Sequence, residues 1–147
     1  MWNPPDPTTF NSIVWEIVKQ IPAGRVSTYG QIASMIPPPD GILPPDYDRL
    51  GARWVGSAMN AVPTGSGVPW QRVINSRGEI SLPKDSRSAD QQRELLKAEG
   101  VPFRDSGRVD LAAYGWQGPP EAWLRERGLY PPKPLRKDTG PDQPRLF

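Results

Sequence analysis

The 147-residue chain contains no cysteine and no histidine. Without a thiol there is no thiolate nucleophile and no disulfide, and without imidazole the commonest general base is gone. The usual zinc and transition-metal ligands disappear with the same two residues, so neither a metal nor a cofactor is expected. Long apolar runs are missing too: no stretch is apolar enough to cross a bilayer. The start, Met1-Trp2-Asn3-Pro4-Pro5-Asp6, lacks the basic and apolar regions of a signal peptide. These absences predict an intracellular protein with few enzyme chemistries open to it. It would be nuclear in a eukaryote, cytoplasmic or nucleoid-bound in a prokaryote, and monomeric.

Proline and glycine are abundant instead, at 20 and 14 residues, while 36% of the chain is hydrophobic and 23% charged. That balance suits one domain with a real core plus irregular appendages. The net charge of +2 permits nucleic-acid binding without arguing for it. Its distribution says more. Residues 49–78 carry Arg49, Arg53, Arg72 and Arg77 but no Asp or Glu, leaving a locally positive stretch suited to a polyanion, although a window of this length also arises by chance.

Phe10, Ile13, Val14, Ile17, Val18 and Ile21 recur at helical spacing, and Pro22-Ala23-Gly24 ends that helix. A second, short helix starts at Thr28, whose hydroxyl caps the Gln31 backbone while Gln31 reaches back, with Ile32, Ala33 and Ile36 inward. The prolines from Pro37 to Pro45 predict an irregular insertion over about 37–50. A third helix follows over 51–62, with Val55 and Met59 inward. Its small residues Ala52, Gly56, Ser57 and Ala58 let its backbone approach another surface closely. The second and third helices together fit a helix-turn-helix.

Asn75-Ser76-Arg77-Gly78 reads as a tight turn and Glu79-Ile80-Ser81 as a short strand. A last core helix is predicted over 89–99 with Ser88 as cap, Leu95 and Leu96 inward and Gly100 as stop, and residues 108–116 as a final strand or extended segment. The expected fold is mainly α with a small β element. Residues 1–116 form the domain, and 117–147 a proline-rich extension, partly disordered, its first part pinned by Trp123, Leu124, Leu129 and Tyr130.

The segment Val68-Pro69-Trp70-Gln71-Arg72-Val73-Ile74-Asn75-Ser76-Arg77-Gly78 resembles the active-site motif of O6-alkylguanine-DNA alkyltransferases, Pro-Cys-His-Arg-Val, with tryptophan where the reactive cysteine would stand. That replacement is the signature of alkyltransferase-like proteins. The resemblance also covers Val26-Ser27-Thr28-Tyr29-Gly30-Gln31-Ile32-Ala33 and Ala52-Arg53-Trp54-Val55-Gly56, in family order. It implies a winged helix-turn-helix-like alkyltransferase domain that docks its small-residue helix in the minor groove, rotates an O6-alkylated guanine out of duplex DNA and signals to nucleotide excision repair proteins.

By residue, the resemblance implies that Arg53 is a finger filling the gap in the base stack, and that Tyr29 crowds the phosphate and reaches the flipped base. It gives a lesion pocket of Trp70, Tyr29, Val73, Gln71 and Lys84, and a DNA-binding set of Thr28, Tyr29, Ala52, Arg53, Trp54, Gly56, Ser57 and Arg72. Arg72 also reads as a tie for the pocket loop, and Trp54 as a wedge or a core aromatic. Gln71 replaces the family's histidine and Val62 its hinge asparagine, so catalytic apparatus is lost while Glu99, the relay glutamate, becomes structural or solvated. Indole offers no thiolate, and dealkylation by this route needs one; no catalytic residue is therefore expected. The competing reading from another class is a helix-turn-helix transcription regulator indifferent to the lesion.

Overall fold

The computed structural model describes residues 3–135. Helix α1, Pro7–Val18, is started by Asp6, whose carboxylate accepts from the Thr9 N–H at 3.1 Å, with Pro7 where no N–H is needed. Phe10, Val14, Ile17 and Val18 face the core as their spacing predicts, and Ile21 follows just past the helix. Strand β1, Ser27–Thr28, leads into helix α2, Tyr29–Met35. Thr28 caps α2 by accepting from the Gln31 N–H at 3.1 Å. The Gln31 side chain does not reach back: it accepts from the Ser27 hydroxyl at 2.6 Å and donates to the Trp116 carbonyl at 2.9 Å, tying α2 to a distant segment.

Helix α3 runs Pro44–Asn60, so the expected insertion is irregular only from Pro37 to Leu43. The physical reason is that Pro44 and Pro45 stand in the first turn, where their missing N–H groups cost nothing. The added turns place Tyr47 inside, its hydroxyl donating to the Ala33 carbonyl at 2.9 Å. Trp54, Val55 and Ala58 complete the buried face of α3, and the indole N–H of Trp15 on α1 donates to the Ala58 carbonyl at 2.8 Å. Trp54 is fully buried, edge-on to Phe10 at 5.8 Å, and its own N–H has no partner among the described residues, a cost of about 1–3 kcal/mol offset by ring burial. It is a core aromatic, which removes it from the DNA-binding set.

After α3 a single 3-10 turn, Trp70–Arg72, delivers strand β2, Val73–Ile74, which pairs in parallel with β1 through Ser27 beside Val73 and Thr28 beside Ile74. The strand expected over 79–81 is not formed. Gly78, at φ +82°, packs against the Val109 backbone, and the Val109 N–H donates to the Gly78 carbonyl at 2.8 Å. Helix α4, Arg87–Ala98, begins two residues earlier than expected because Ser86, not Ser88, accepts from the Ala89 N–H at 3.1 Å. Leu96 is buried and Leu95 only half-buried.

Within 108–116 the chain makes a helical turn, α5, Leu111–Tyr114, capped by Asp110, and only then extends so that Val26 and Gly115 bridge in parallel. Helix α6, Glu121–Glu126, packs Leu124 into the main core, with Trp123 and Leu129 against it; Tyr130 is held by its backbone N–H, which donates to the Met35 carbonyl at 2.8 Å. Disorder expected late in the extension falls on residues 136–147, outside those described.

One apolar cluster joins α1, α2, α3 and α6, and a second lies under α4 and α5 around Val26, Ile74 and Leu96. The α2–α3 contact is tightest at Gly51, where a Cβ would lie 3.0 Å from Ala33 Cβ and 3.1 Å from the Tyr47 ring; at Gly56 it would meet nothing within 4 Å. Gly51→Val should therefore destabilise by about 2 kcal/mol through overpacking, and Gly56→Ala should stabilise by about 0.5–1 kcal/mol through helix propensity. Urea unfolding of the two variants checks both signs.

Candidate nucleic-acid interface

Helix α3 has two faces because its sequence does. Trp54, Val55 and Ala58 point into the core, while Arg53, Ser57 and Asn60 are exposed and Ala52 and Gly56 half-exposed on the opposite side. The outward stripe is bare of bulk, as the small residues predict, with one long side chain rising from its middle. Arg53 makes no hydrogen bond or ion pair among the described residues, so its guanidinium is free for a ligand.

The other three arginines of the acid-free window divide. Arg49 pairs with Asp46 at 2.8 Å on the surface, and Arg72 pairs with Glu99 at 2.9 Å in a largely buried site. Arg77 lies exposed in the turn after β2 with no side-chain partner among the described residues. Arg53 and Arg77 are thus the cations of the window left for a polyanion, a narrower positive face than the raw sequence suggests.

At its C-terminal end the same helix opens on a cleft of about 520 Å³. Its walls are Met59, Asn60 and Val62 from the end of α3, the loop 63–68, Trp70, Leu82, and Ser88 and Gln91 from α4. Trp70 is half-buried, belongs to neither apolar cluster and lines this cleft. The mixture of apolar walls with a few amide and hydroxyl groups is the make-up of a small-ligand pocket.

Why Trp70 stands there is set by one carboxylate. Glu99, at the end of α4, accepts from Arg72 Nε and Nη2 at 3.0 and 2.9 Å and from Gln71 Nε2 at 2.8 Å. Arg72 also donates to the Ile21 carbonyl at 2.7 Å, and buried Gln92 donates to the carbonyls of Gln71 and Val73. The turn is clamped from three sides, which leaves the Trp70 ring as the side chain of its Trp-Gln-Arg sequence facing the cleft. Burial on its own would raise the Glu99 carboxyl; the Arg72 and Gln71 hydrogen bonds, the Arg72 charge and the Gly24 N–H outweigh it and hold the group below its usual value.

The predicted site residues sort accordingly. Trp70, Arg53, Ala52, Gly56 and Ser57 stand on the open face or the cleft. Val73 is 1% exposed and paired to β1, Gln71 is turned to Glu99, and Arg72 has its donors committed, so these three support the site from behind and do not line it. Thr28 is 4% exposed with its hydroxyl spent on capping α2, which removes it from the contact set. Lys84 is exposed in the loop whose Leu82, not Lys84, walls the cleft. Tyr29 is half-buried and its hydroxyl shares a 2.6 Å hydrogen bond with Ser81, fastening α2 to that loop one residue before Leu82.

Sequence reasoning missed Met59, Asn60, Leu82, Ser88 and Gln91. The only signal for them was Val62, at the family's hinge position, which places the end of α3 beside Trp70.

The Glu99 cluster generates an acid response. A carboxyl whose pKa is lowered by folding adds stability above its unfolded value, near 4.5, and loses it as pH falls through the folded value. Glu99→Gln should cost on the order of 3 kcal/mol at pH 7, because Arg72 is left buried without its counter-charge. The urea midpoint should fall less steeply between pH 5 and 3 in the variant than in the parent; parallel profiles would contradict the assignment.

Residues 9–101 match the DNA-binding domain of 6-O-methylguanine DNA methyltransferases. Over 104 residues, 71% of the chain and 92% of the relative, the chain is 44% identical to a DNA base-flipping protein of Vibrio parahaemolyticus. It is 40% identical over 108 residues, 74% of each chain, to a protein so named in Escherichia coli. Alkyltransferase-like protein 1 of Schizosaccharomyces pombe shares 38% identity over 112 residues, 74% of this chain and 94% of that one. A crystal structure of S. pombe Atl1 in complex with damaged DNA containing O6-carboxymethylguanine superposes with a TM-score of 0.57 at 37% identity, covering 74% of this chain and 95% of Atl1. The chain belongs to the 6-O-methylguanine DNA methyltransferase DNA-binding family, within its alkyltransferase-like branch.

Proposed function

We propose that this protein is a non-enzymatic sensor of O6-alkylguanine: the open stripe of α3 enters the minor groove of duplex DNA, Arg53 takes the place of the extruded nucleotide, and the base is held beside Trp70. The observation that carries this reading is that one helix bears both parts. An unpaired arginine rises from a face of small residues, and about two turns along the same helix, roughly 10 Å, the chain opens on the Trp70 cleft. The minor groove is narrow, which suits Ala52, Gly56 and Ser57, and its degenerate edge pattern suits a protein that searches for damage irrespective of sequence. The damaged-DNA complex of Atl1 and the base-flipping relatives support the same reading.

Energetics set what the cleft must do. Extruding a base costs a few kcal/mol, and stacking on one aromatic ring returns about 1–3 kcal/mol. Trp70 alone only balances the cost. The difference comes from burying the alkyl group, at about 0.8 kcal/mol per CH₂, against walls such as Val62, Val68 and Leu82, and from Arg53 filling the stack. A bare guanine gains less, and that difference is the lesion preference.

The alkyl group stays on the base. Transfer needs a thiolate in line with the alkyl carbon, the chain has no cysteine, and Gln71, bonded to Glu99, has no basic nitrogen to relay a proton. A lesion held but not repaired has to be passed on, and the resemblance to alkyltransferase-like proteins supports nucleotide excision repair as the recipient.

Competition between matched duplexes with and without O6-methylguanine tests the function: the protein should prefer the lesion and acquire no label from a labelled alkyl group. Equal affinity would instead support a transcription regulator. In the same assay Trp70→Ala should dissociate about 5- to 150-fold faster with an unchanged melting temperature, since one lost stack is worth about 1–3 kcal/mol. Arg53→Ala should lose lesion discrimination while keeping the fold; wild-type discrimination in that variant would remove the finger from the account.

A further inference from the structure

The apolar walls of the Trp70 cleft are not held alike. Met59, Val62 and Val68 pack on the main core cluster, and the turn that carries Trp70 is clamped by Glu99. Leu82 belongs to neither apolar cluster. Its place is set by the loop it sits in, and with it the shape of the cleft on that side.

Residues 81–85 form this loop, between Ile80, which packs on the second cluster, and Ser86, which caps α4. Its far end turns on itself. The Ser86 N–H donates to the Pro83 carbonyl at 3.0 Å, with Asp85 at φ +66°, a conformation that Asp tolerates better than most residues. Among the described residues, a single hydrogen bond joins the loop to another element, the 2.6 Å bond shared by the hydroxyls of Ser81 and Tyr29. Tyr29 is a firm anchor for it: the first residue of α2, half-buried, and packed on the main core. Ser81 is exposed and stands next to Leu82, so the loop is pinned beside the one apolar wall that the core does not hold.

We propose that the Tyr29–Ser81 hydrogen bond sets the size of alkyl group the cleft accepts, by holding Leu82 against the substituent. Tyr29 and Ser81 are then positioning residues for specificity, acting through the loop and not by touching the base. The inference rests on the lesion-binding reading of the cleft. With the bond made, the wall closes on a small alkyl group and removes its surface from water. With the bond lost, Leu82 moves away, a small group loses those contacts, and a bulky one gains room that it must otherwise make by displacing the side chain.

The test measures, by fluorescence anisotropy, binding of the full chain and its variants to three matched duplexes carrying guanine, O6-methylguanine or O6-benzylguanine. The variants are Ser81→Ala, Tyr29→Phe, their double and Ser81→Thr. Ser81 is exposed and Tyr29→Phe keeps the packed ring, so none disturbs the core. Each of the first two should raise the benzyl-to-methyl affinity ratio by about 2- to 10-fold, the span of one net hydrogen bond. The double variant should raise it no further, because the same bond is lost only once. Ser81→Thr keeps the hydroxyl and should hold the parent ratio. In the protein without DNA, backbone relaxation at the Leu82 and Lys84 amides should show wider motion in Ser81→Ala than in the parent. An unchanged ratio or unchanged relaxation in Ser81→Ala would overturn the proposal. Additive effects of the two substitutions would overturn it too, since Tyr29 would then act on the DNA directly. A parent chain that binds all three duplexes alike would overturn the proposed function and the specificity built on it, whereas a parent that prefers the lesions with variants at its own ratio would overturn only the role of the hydrogen bond.

Discussion

The Glu99 carboxylate is the constraint on which the site depends. It draws the guanidinium of Arg72 and the amide of Gln71 to the end of α4, and Arg72 in turn holds the carbonyl of Ile21 beyond α1. Three segments far apart in sequence meet at one charge, and the short turn they enclose has a single side chain left over, Trp70. An indole exposed in a cleft would otherwise fold back onto the nearest apolar surface. The clamp stops this by fixing the backbone that follows it, from Gln71 to Val73. A glutamate that supports proton relay in the resembling enzymes thus serves here as a mechanical anchor.

Helix α3 supplies the complementary constraint. Its inner face carries Trp54, packed on Phe10 and Tyr47, and its Ala58 carbonyl is bonded by Trp15, so the helix cannot roll without exposing large rings. Rigid on that side, it can present almost no bulk on the other. The cost of Gly56 to helix propensity is recovered by burial on the inner face, and the gain is an approach surface limited by backbone more than by side chains. Residues that weaken the helix locally thereby shape the part that meets the ligand.

Much of this was legible in the sequence where a local rule governs it. The α1 stripe, the Thr28 cap of α2 and the small-residue stretch of α3 follow from periodicity and capping. What was missed depends on tertiary partners. Pro44 and Pro45 read as an interruption until their place in a first turn is seen, and Ser88 reads as a cap until Ser86 is found to make the bond. Glu79-Ile80-Ser81 has the composition of a strand, but Glu79 is bonded back into the turn at Asn75 and the Val73 carbonyl is taken by the Gln92 side chain, so no ladder forms among the described residues. For the site, the motif located Trp70 and Arg53 and read Arg72 as a tie for the pocket loop, but placed Gln71 and Val73 in the pocket as if they shared the role of Trp70. In a 3-10 turn entering a strand, neighbours point in different directions, so only one of the four lines the cleft.

The central claim is that a chain with no sulfur nucleophile acts on damaged guanine by holding it outside the duplex against an indole, and this is a statement about where the base resides. A fluorescent adenine analogue placed next to O6-methylguanine reports it directly, because its emission is quenched in a stack and rises when its neighbour leaves. The account predicts enhanced emission at saturating protein on the lesion duplex, little change on the unmodified duplex, and reduced enhancement for Arg53→Ala. Emission that stays quenched while binding is saturated would contradict it.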